Sequence, residues 1–292
     1  MVQKREDKRT AVTTVHHIIA PPSAQSPAGA SLYYAWFAAM HTRIDIAVVS
    51  TTHSELQLNT IMDEVAANTW AIEHEANRFD PTSALSVLNS APANTAVSLP
   101  ERLCHMLEMC RDYHRQTLGL FDITIGSVGH SPRSIDTLYI NNQSAMRLDD
   151  RLSLDLSGFV KGYAAEQTRT LLSSHGISHA LINFGNSSIV AMGSIDTQTA
   201  GWSVCTNTSK SQSVTLHDNC LTTSGNDSPT RRHIINPLTG KTIDGMRTLS
   251  VITDNAIDGE VLSTALFIAS EQQRETILHN ITATVLETSQ PH

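Results

Sequence analysis

Apolar residues recur along most of the chain with either a helical or a strand period, and the switches between periods mark its elements. "TRIDIAVVST" (Thr42 to Thr51) is β-branched and reads as a strand. From Leu58 onward, Ile61, Met62, Val65, Ile72, Ala76 and Phe79 share one helix face, and Asp80-Pro81 ends it. Thr82 or Ser83 then caps a short helix through "ALSVLN". A second long helix carries Leu99, Leu103, Met106, Leu107, Cys110 and Tyr113, and Gly119 stops it. "LDLSGFVKGYAAEQ" (Leu154 to Gln167) passes from a strand through a glycine turn into a helix running to Gly176. Short strands follow in "HALINF", "SIVAMGS", "WSVCTN", "SVTLH" and "TLSVIT". Helices return in "EVLSTALFIAS" and "EQQRETILHN", before a last strand in "TATVLE". Long helices and short strands in blocks, without regular βαβ alternation, predict an α+β fold.

Composition narrows the function classes. The chain has 292 residues and a net charge of −8, which disfavours a nucleic-acid surface. No apolar run approaches the roughly 20 residues needed to cross a bilayer. The start, "MVQKREDKRTAVTTVHH", lacks the apolar stretch of a signal peptide, so the expected location is cytoplasmic. "PPSAQSPAGAS" (Pro21 to Ser31) reads as a lead-in, making residues 1–30 a flexible segment and 31–292 a single domain. The cysteines Cys104, Cys110, Cys205 and Cys220 form no CxxC pair and read as buried thiols. The 14 histidines show no HExxH spacing.

Lys161 is the first candidate for chemistry, because it stands where a strand and glycine turn become a helix. Amides exposed at such a helix start attract anions such as phosphates. The plainer reading has Ser157 capping the helix, with Lys161 solvated or paired to Asp155.

Six segments widen the view. "FDPTSALSVLN", "FDITIGSVG", "LDLSGFVKGYAAE", "INFGNSSIVAMGS", "TTSGNDSPTRRHIINPLTG" and "EVLSTAL" occur in that order. Together they resemble the ApbE-like family of FAD:protein FMN transferases, over most of the chain from about Phe37. The resemblance implies an α+β architecture related to the tunnelling T-fold, with mixed or antiparallel sheets. It also implies magnesium-dependent splitting of FAD, with FMN passed through its phosphate to a Thr or Ser hydroxyl of a target protein. A FAD pyrophosphatase and a non-catalytic FAD-binding protein with a decayed metal site are the alternatives. The partners are then FAD and a flavin-acceptor protein, with no nucleic acid and no membrane span.

The same resemblance implies site residues. The magnesium ligands map to the Val160 carbonyl, Glu260 and Thr264, and magnesium favours such all-oxygen sets. Positions four apart share a helix face, so Glu260 and Thr264 could reach one ion. Lys161 serves the phosphates and the catalysis. Asn183 and Gly185 form a turn that approaches the dinucleotide, Thr223, Ser224 and Gly225 lie close to the flavin, and Met40 packs beside its ring. Asp80 and Asp122, within the first two segments, complete the cofactor-binding set. His233, of the side-chain type that titrates near neutrality, is the proton acceptor for the target hydroxyl. The chain departs from the family pattern in several places: Glu260 and Asn236 each replace an aspartate, His41 and Asn186 each replace a glycine, "SGNDSPTRRH" lacks the aromatic that usually follows Ser-Gly, and the stretch between "TIGSVG" and "LSLDLSG" is short. Gly259, just before Glu260, is expected to give the backbone room to accommodate the longer acid.

Overall fold

The computed structural model describes residues 14–20, 31–196, 199–205, 213–226, 234–243 and 247–289. Its centre is an eight-stranded sheet in the order β1-β2-β3-β7-β8-β11-β12-β13, with antiparallel pairing at every step. The strands are β1 (His16–Ala20), β2 (Ser31–Ala39), β3 (Thr42–Ser50), β7 (Ala180–Phe184), β8 (Ser188–Met192), β11 (Cys220–Asn226), β12 (Arg247–Thr253) and β13 (Thr284–Ser289). Between β3 and β7 the chain inserts α1 (Glu55–Ala76), α2 (Ala84–Ser90), α3 (Glu101–Gln116) and α4 (Val160–Ser174). The same stretch holds a small sheet of β4 (Val97–Ser98), β5 (Leu138–Asn141) and β6 (Ser144–Arg147). A hairpin of β9 (Trp202–Cys205) and β10 (Ser213–Leu216) separates β8 from β11, and α5 (Ala256–Ile268) and α6 (Glu271–Asn280) separate β12 from β13.

Strand alternation divides the core between the two faces of the sheet. Ile44, Ile46 and Val48 of β3, with Ile182, Val190, Leu249 and Val251, pack under the helices. α1 contributes Met62, Val65 and Ile72 to this core, α4 Ala164, Ala165 and Leu172, and α5 Val261, Leu262 and Leu266. The opposite residues, including Ile189, Ala191 and Leu221, meet Trp202, Val204 and Leu216 of the hairpin in a smaller second core.

The α+β class holds, but several local expectations change. β1 forms within the segment read as flexible, where His16 stacks on Trp36 at 4.9 Å and His17 bonds the Tyr33 hydroxyl. α1 stops at Ala76 with Asn77 as its C-cap, so Phe79 lies beyond it and is 65% exposed. Leu99 precedes α3, whose N-cap is Pro100. Ser83, not Thr82, caps α2. Ser157 does not cap α4; the N-cap is Phe159, and the Ser157 hydroxyl donates to Asp155. Cys205 is exposed, whereas Cys104, Cys110 and Cys220 are buried. Burial pushes the Cys220 thiol up to about 12.

Candidate active site

The start of α4 is held by an aromatic anchor in place of a side-chain cap. Phe159 is fully buried and touches Tyr113, Phe121 and Tyr163, with ring centroids 5.9–6.5 Å away. α5 is N-capped by Asn255, whose side chain accepts from the Asp258 amide, and Asp258 in turn accepts from the Tyr113 hydroxyl at 2.6 Å. Burial, reinforced by that carboxylate, raises the pKa of the Tyr113 phenol, which stays a donor. The two helix starts are thus tied through one tyrosine.

Two glycines set how closely the layers approach. A β-carbon added at Gly162 would lie 2.4 Å from the Ala256 carbonyl oxygen and 2.7 Å from Glu260 Cγ. One added at Gly259 would lie 2.4 Å from Thr222 Oγ1. Gly259 therefore lets α5 press onto β11, and the expected slack for Glu260 is absent because the contact is closed.

This approach brings Lys161 and Glu260 together. Lys161 Nζ lies 3.4 Å from Glu260 Oε1 and also donates to the Ser187 hydroxyl. Ser188, fully buried at the start of β8, donates its hydroxyl to the same carboxylate oxygen. Asp155 pairs instead with Arg78 at 3.0 Å, so the Lys161–Asp155 alternative does not form. One turn along α5, Thr264 Oγ1 is 3.2 Å from Ser224 Oγ, which bonds Ser263 Oγ at 2.8 Å. The structure thus gathers Lys161, Glu260, Thr264 and Ser224 on the helix-covered face.

Other candidates sit around this group or apart from it. The pleat sends Thr223 to the opposite face, where its hydroxyl bonds Ser250 at 2.7 Å. A β-carbon at Gly225 would lie 2.4 Å from the Arg247 carbonyl oxygen, so this glycine permits the β11–β12 approach. Met40 and His41 form the β2–β3 turn with φ of +52° and +57°, so His41 itself adopts the left-handed conformation a glycine would take freely. Gly185 (φ +63°) and Asn186 (φ +59°) make the matching β7–β8 turn, and the Asn183 side chain accepts from the Asn186 amide at 2.8 Å. At Gly185 a β-carbon would fall 2.2 Å from Thr42 Oγ1, so the two turns are neighbours. Asp80 accepts from the Thr82 amide and hydroxyl, and lies 3.6 Å from His74. Asp122 is buried and accepts from Thr124 and His130. Both of these aspartates order their own loops. His233 lies outside the described residues; the turn after it is organised by Asn236, whose side chain accepts from the Leu238 amide at 2.9 Å.

Ser187, Ser188 and Ser263 were not singled out from the sequence. A signal existed: a hydroxyl at the head of "SIVAM", an otherwise apolar strand buried at every position, needs a polar partner.

The candidate metal set consists of oxygen donors only, and one carboxylate completed by water and phosphate oxygens suits a hard divalent cation. No group of three or more His, Cys, Asp or Glu among the described residues is placed to hold a metal. The set Val160, Glu260 and Thr264 contains only one side chain of those types, so its donor chemistry fits by the backbone and hydroxyl route. On the far face, beside Asn183, an open cleft of about 550 Å³ is lined by Tyr34, Arg43, Asp45, Leu181 and Asn186 among others.

Comparison with known proteins supplies the lineage. The FAD:protein FMN transferase of Chlamydia trachomatis serovar D is 25% identical over 243 residues, covering 69% of this chain and 73% of that protein. The FAD:protein FMN transferase of Treponema pallidum (strain Nichols) is 23% identical over 252 residues, covering 70% and 69%. The flavin transferase ApbE of Vibrio cholerae superposes with a TM-score of 0.71 at 18% identity, covering 94% of this chain and 93% of that one. The apo flavinyl transferase ApbE of Pseudomonas stutzeri gives 0.75 at 16% identity, with 96% and 92% covered. These two structures share the fold. Residues 40–286 match the model of the ApbE family, and the chain belongs to that family.

Proposed function

We propose that the protein is a flavin transferase that splits FAD and attaches the FMN half, through its phosphate, to a Thr or Ser hydroxyl of a target protein. The observation that carries this reading is the junction of α4 and α5. There, one ammonium and one carboxylate meet among hydroxyls in a glycine-permitted contact. Lys161 offers a compact positive charge for the pyrophosphate. The Val160 carbonyl, Glu260 and Thr264 are the residues that would hold magnesium. A divalent cation there supplies charge neutralisation on the phosphate oxygens. The β7–β8 turn, with bare backbone at Gly185, suits close approach of the dinucleotide. His233 takes the proton of the target hydroxyl in this scheme.

Incubation of the purified chain with FAD, with and without magnesium and a Ser- or Thr-containing acceptor peptide, tests the reading. Metal-dependent AMP release with flavin covalently on the peptide is the expected result. Tight FAD binding without AMP would reduce the protein to a flavin binder, and AMP with only free FMN would make it a pyrophosphatase.

A further inference from the structure

We infer that Ser187 is itself an FMN acceptor, so that the protein labels its own β7–β8 turn when no target hydroxyl is present. The inference rests on the transferase reading and adds a modification site to it. The hydroxyl of Ser187 is bonded to Lys161 Nζ, the ammonium assigned to the pyrophosphate. Any phosphoryl group drawn to Lys161 therefore arrives beside a hydroxyl of the chain's own.

The neighbouring hydroxyls are less suited. Ser188 is fully buried and spent on Glu260. Ser224 bonds both Ser263 and Thr264, and Thr223 points to the other face. Ser187 is half-buried, and its neighbours Gly185 and Asn186 are exposed in left-handed backbone at the tip of the turn. Among the described residues, its hydroxyl otherwise makes a 3.2 Å bond to the Phe184 carbonyl.

The step balances without a further reagent. Ser187 Oγ attacks the phosphorus of the FMN half, forming the Oγ–P bond. The pyrophosphate P–O bond to the AMP half breaks, and AMP leaves with that electron pair. The hydroxyl proton of Ser187 passes to the released AMP phosphate, and Lys161 remains an ammonium that balances the phosphate charge throughout. Phosphoryl transfer through a loose transition state asks mainly for this positioning and charge, with late proton loss from the nucleophile.

The full chain is incubated with FAD and magnesium, without acceptor, then denatured and freed of unbound flavin. Intact mass spectrometry should show a gain of one FMN less one water, in step with AMP release. Peptide mapping should place the flavin on Ser187. Ser187→Ala should lose the label, with retained quenching of FAD fluorescence showing that the variant is folded, and Ser187→Thr should restore it. AMP release with all flavin free, or a label on another residue, overturns the inference while leaving FAD cleavage standing. If neither AMP nor covalent flavin forms with any acceptor, the transferase reading falls and this inference falls with it.

Discussion

The two faces of the large sheet hold their polar groups under opposite conditions. Beneath α4 and α5, Glu260 is 4% exposed, and Lys161, Ser188 and a closed glycine contact surround it. On the other face, Arg43 bonds Tyr34 and Asp45 and lies 5.1 Å from the Trp36 ring, but its side chain is 57% exposed. The first group has no room for one added carbon, and its charges are poorly screened. The second is an ion pair in water, worth little to stability. Similar residue types thus make a candidate catalytic centre in one place and surface decoration in the other.

The strongest way to break the contrast is Gly162→Ala. The helix would gain about 1 kcal/mol of propensity. Forcing a methyl against the Ala256 carbonyl should cost about 3 kcal/mol. Urea unfolding should therefore show a net loss near ~2 kcal/mol, together with weakened FAD binding. Unchanged stability would mean that the helices part freely. On the proposed function, Glu260→Gln should next lower metal-dependent FAD cleavage by about 10²-fold or more, as expected for losing a buried charge at the proposed phosphoryl centre. Glu260→Asp, which keeps the charge, should retain cleavage; equal loss in both variants would point to reach and not charge. A milder probe uses thiols. Cys205, on the hairpin, should react with an alkylating reagent in the native protein at pH 8. Cys220, buried with its pKa near 12, should react only after unfolding. Labelling of Cys220 under native conditions would show that the helix-covered face opens. Tyr34→Phe should have the smallest effect, within about 0.5 kcal/mol by thermal melting and with no change in FAD cleavage. A large loss of cleavage in that variant would make the open cleft part of the reaction site.

The sequence conveyed the helices well, because Met62, Val65 and Ile72, or Leu103, Leu107 and Cys110, repeat at helical spacing and are all buried. Strands lacking that contrast went unread. In β2 the inward Tyr33, Ala35 and Phe37 alternate with the aromatic Tyr34 and Trp36, so apolarity alone shows no period. β11 is built largely of hydroxyl residues, whose burial depends on partners from β12 and α5. Phe79 continued the helical spacing of α1, but the local stop at Asn77 prevailed. For the candidate site, motif order supplied Lys161, Glu260, Thr264 and Ser224 as separate candidates, and it is the fold that brings these four side chains onto one face. Pleat direction, which separates Thr223 from Ser224, could be assigned only once β11 was recognised as a strand. The Lys161–Glu260 pair is a tertiary contact between distant segments, and no local pattern encodes it.

The topology has a kinetic consequence. Strands β1 to β3 on one side, and β7, β8, β11, β12 and β13 on the other, form two blocks of the sheet, and within the sheet the joint between them is the β3–β7 ladder from Ile44↔Phe184 to Val48↔Ala180. Four helices and a small sheet lie between those two strands in sequence. Pairings this distant reward the chain only after a long loop has closed, so they form slowly compared with neighbours such as β2–β3. During refolding, the β3–β7 ladder is therefore expected to zip last, and pulsed hydrogen exchange should find its amides protected after those bridging β11 and β12. The turns at Thr42 and Gly185 meet at one end of that ladder. A newly made chain would then acquire its helices and most of its sheet before it acquires the paired turns proposed above to meet the dinucleotide.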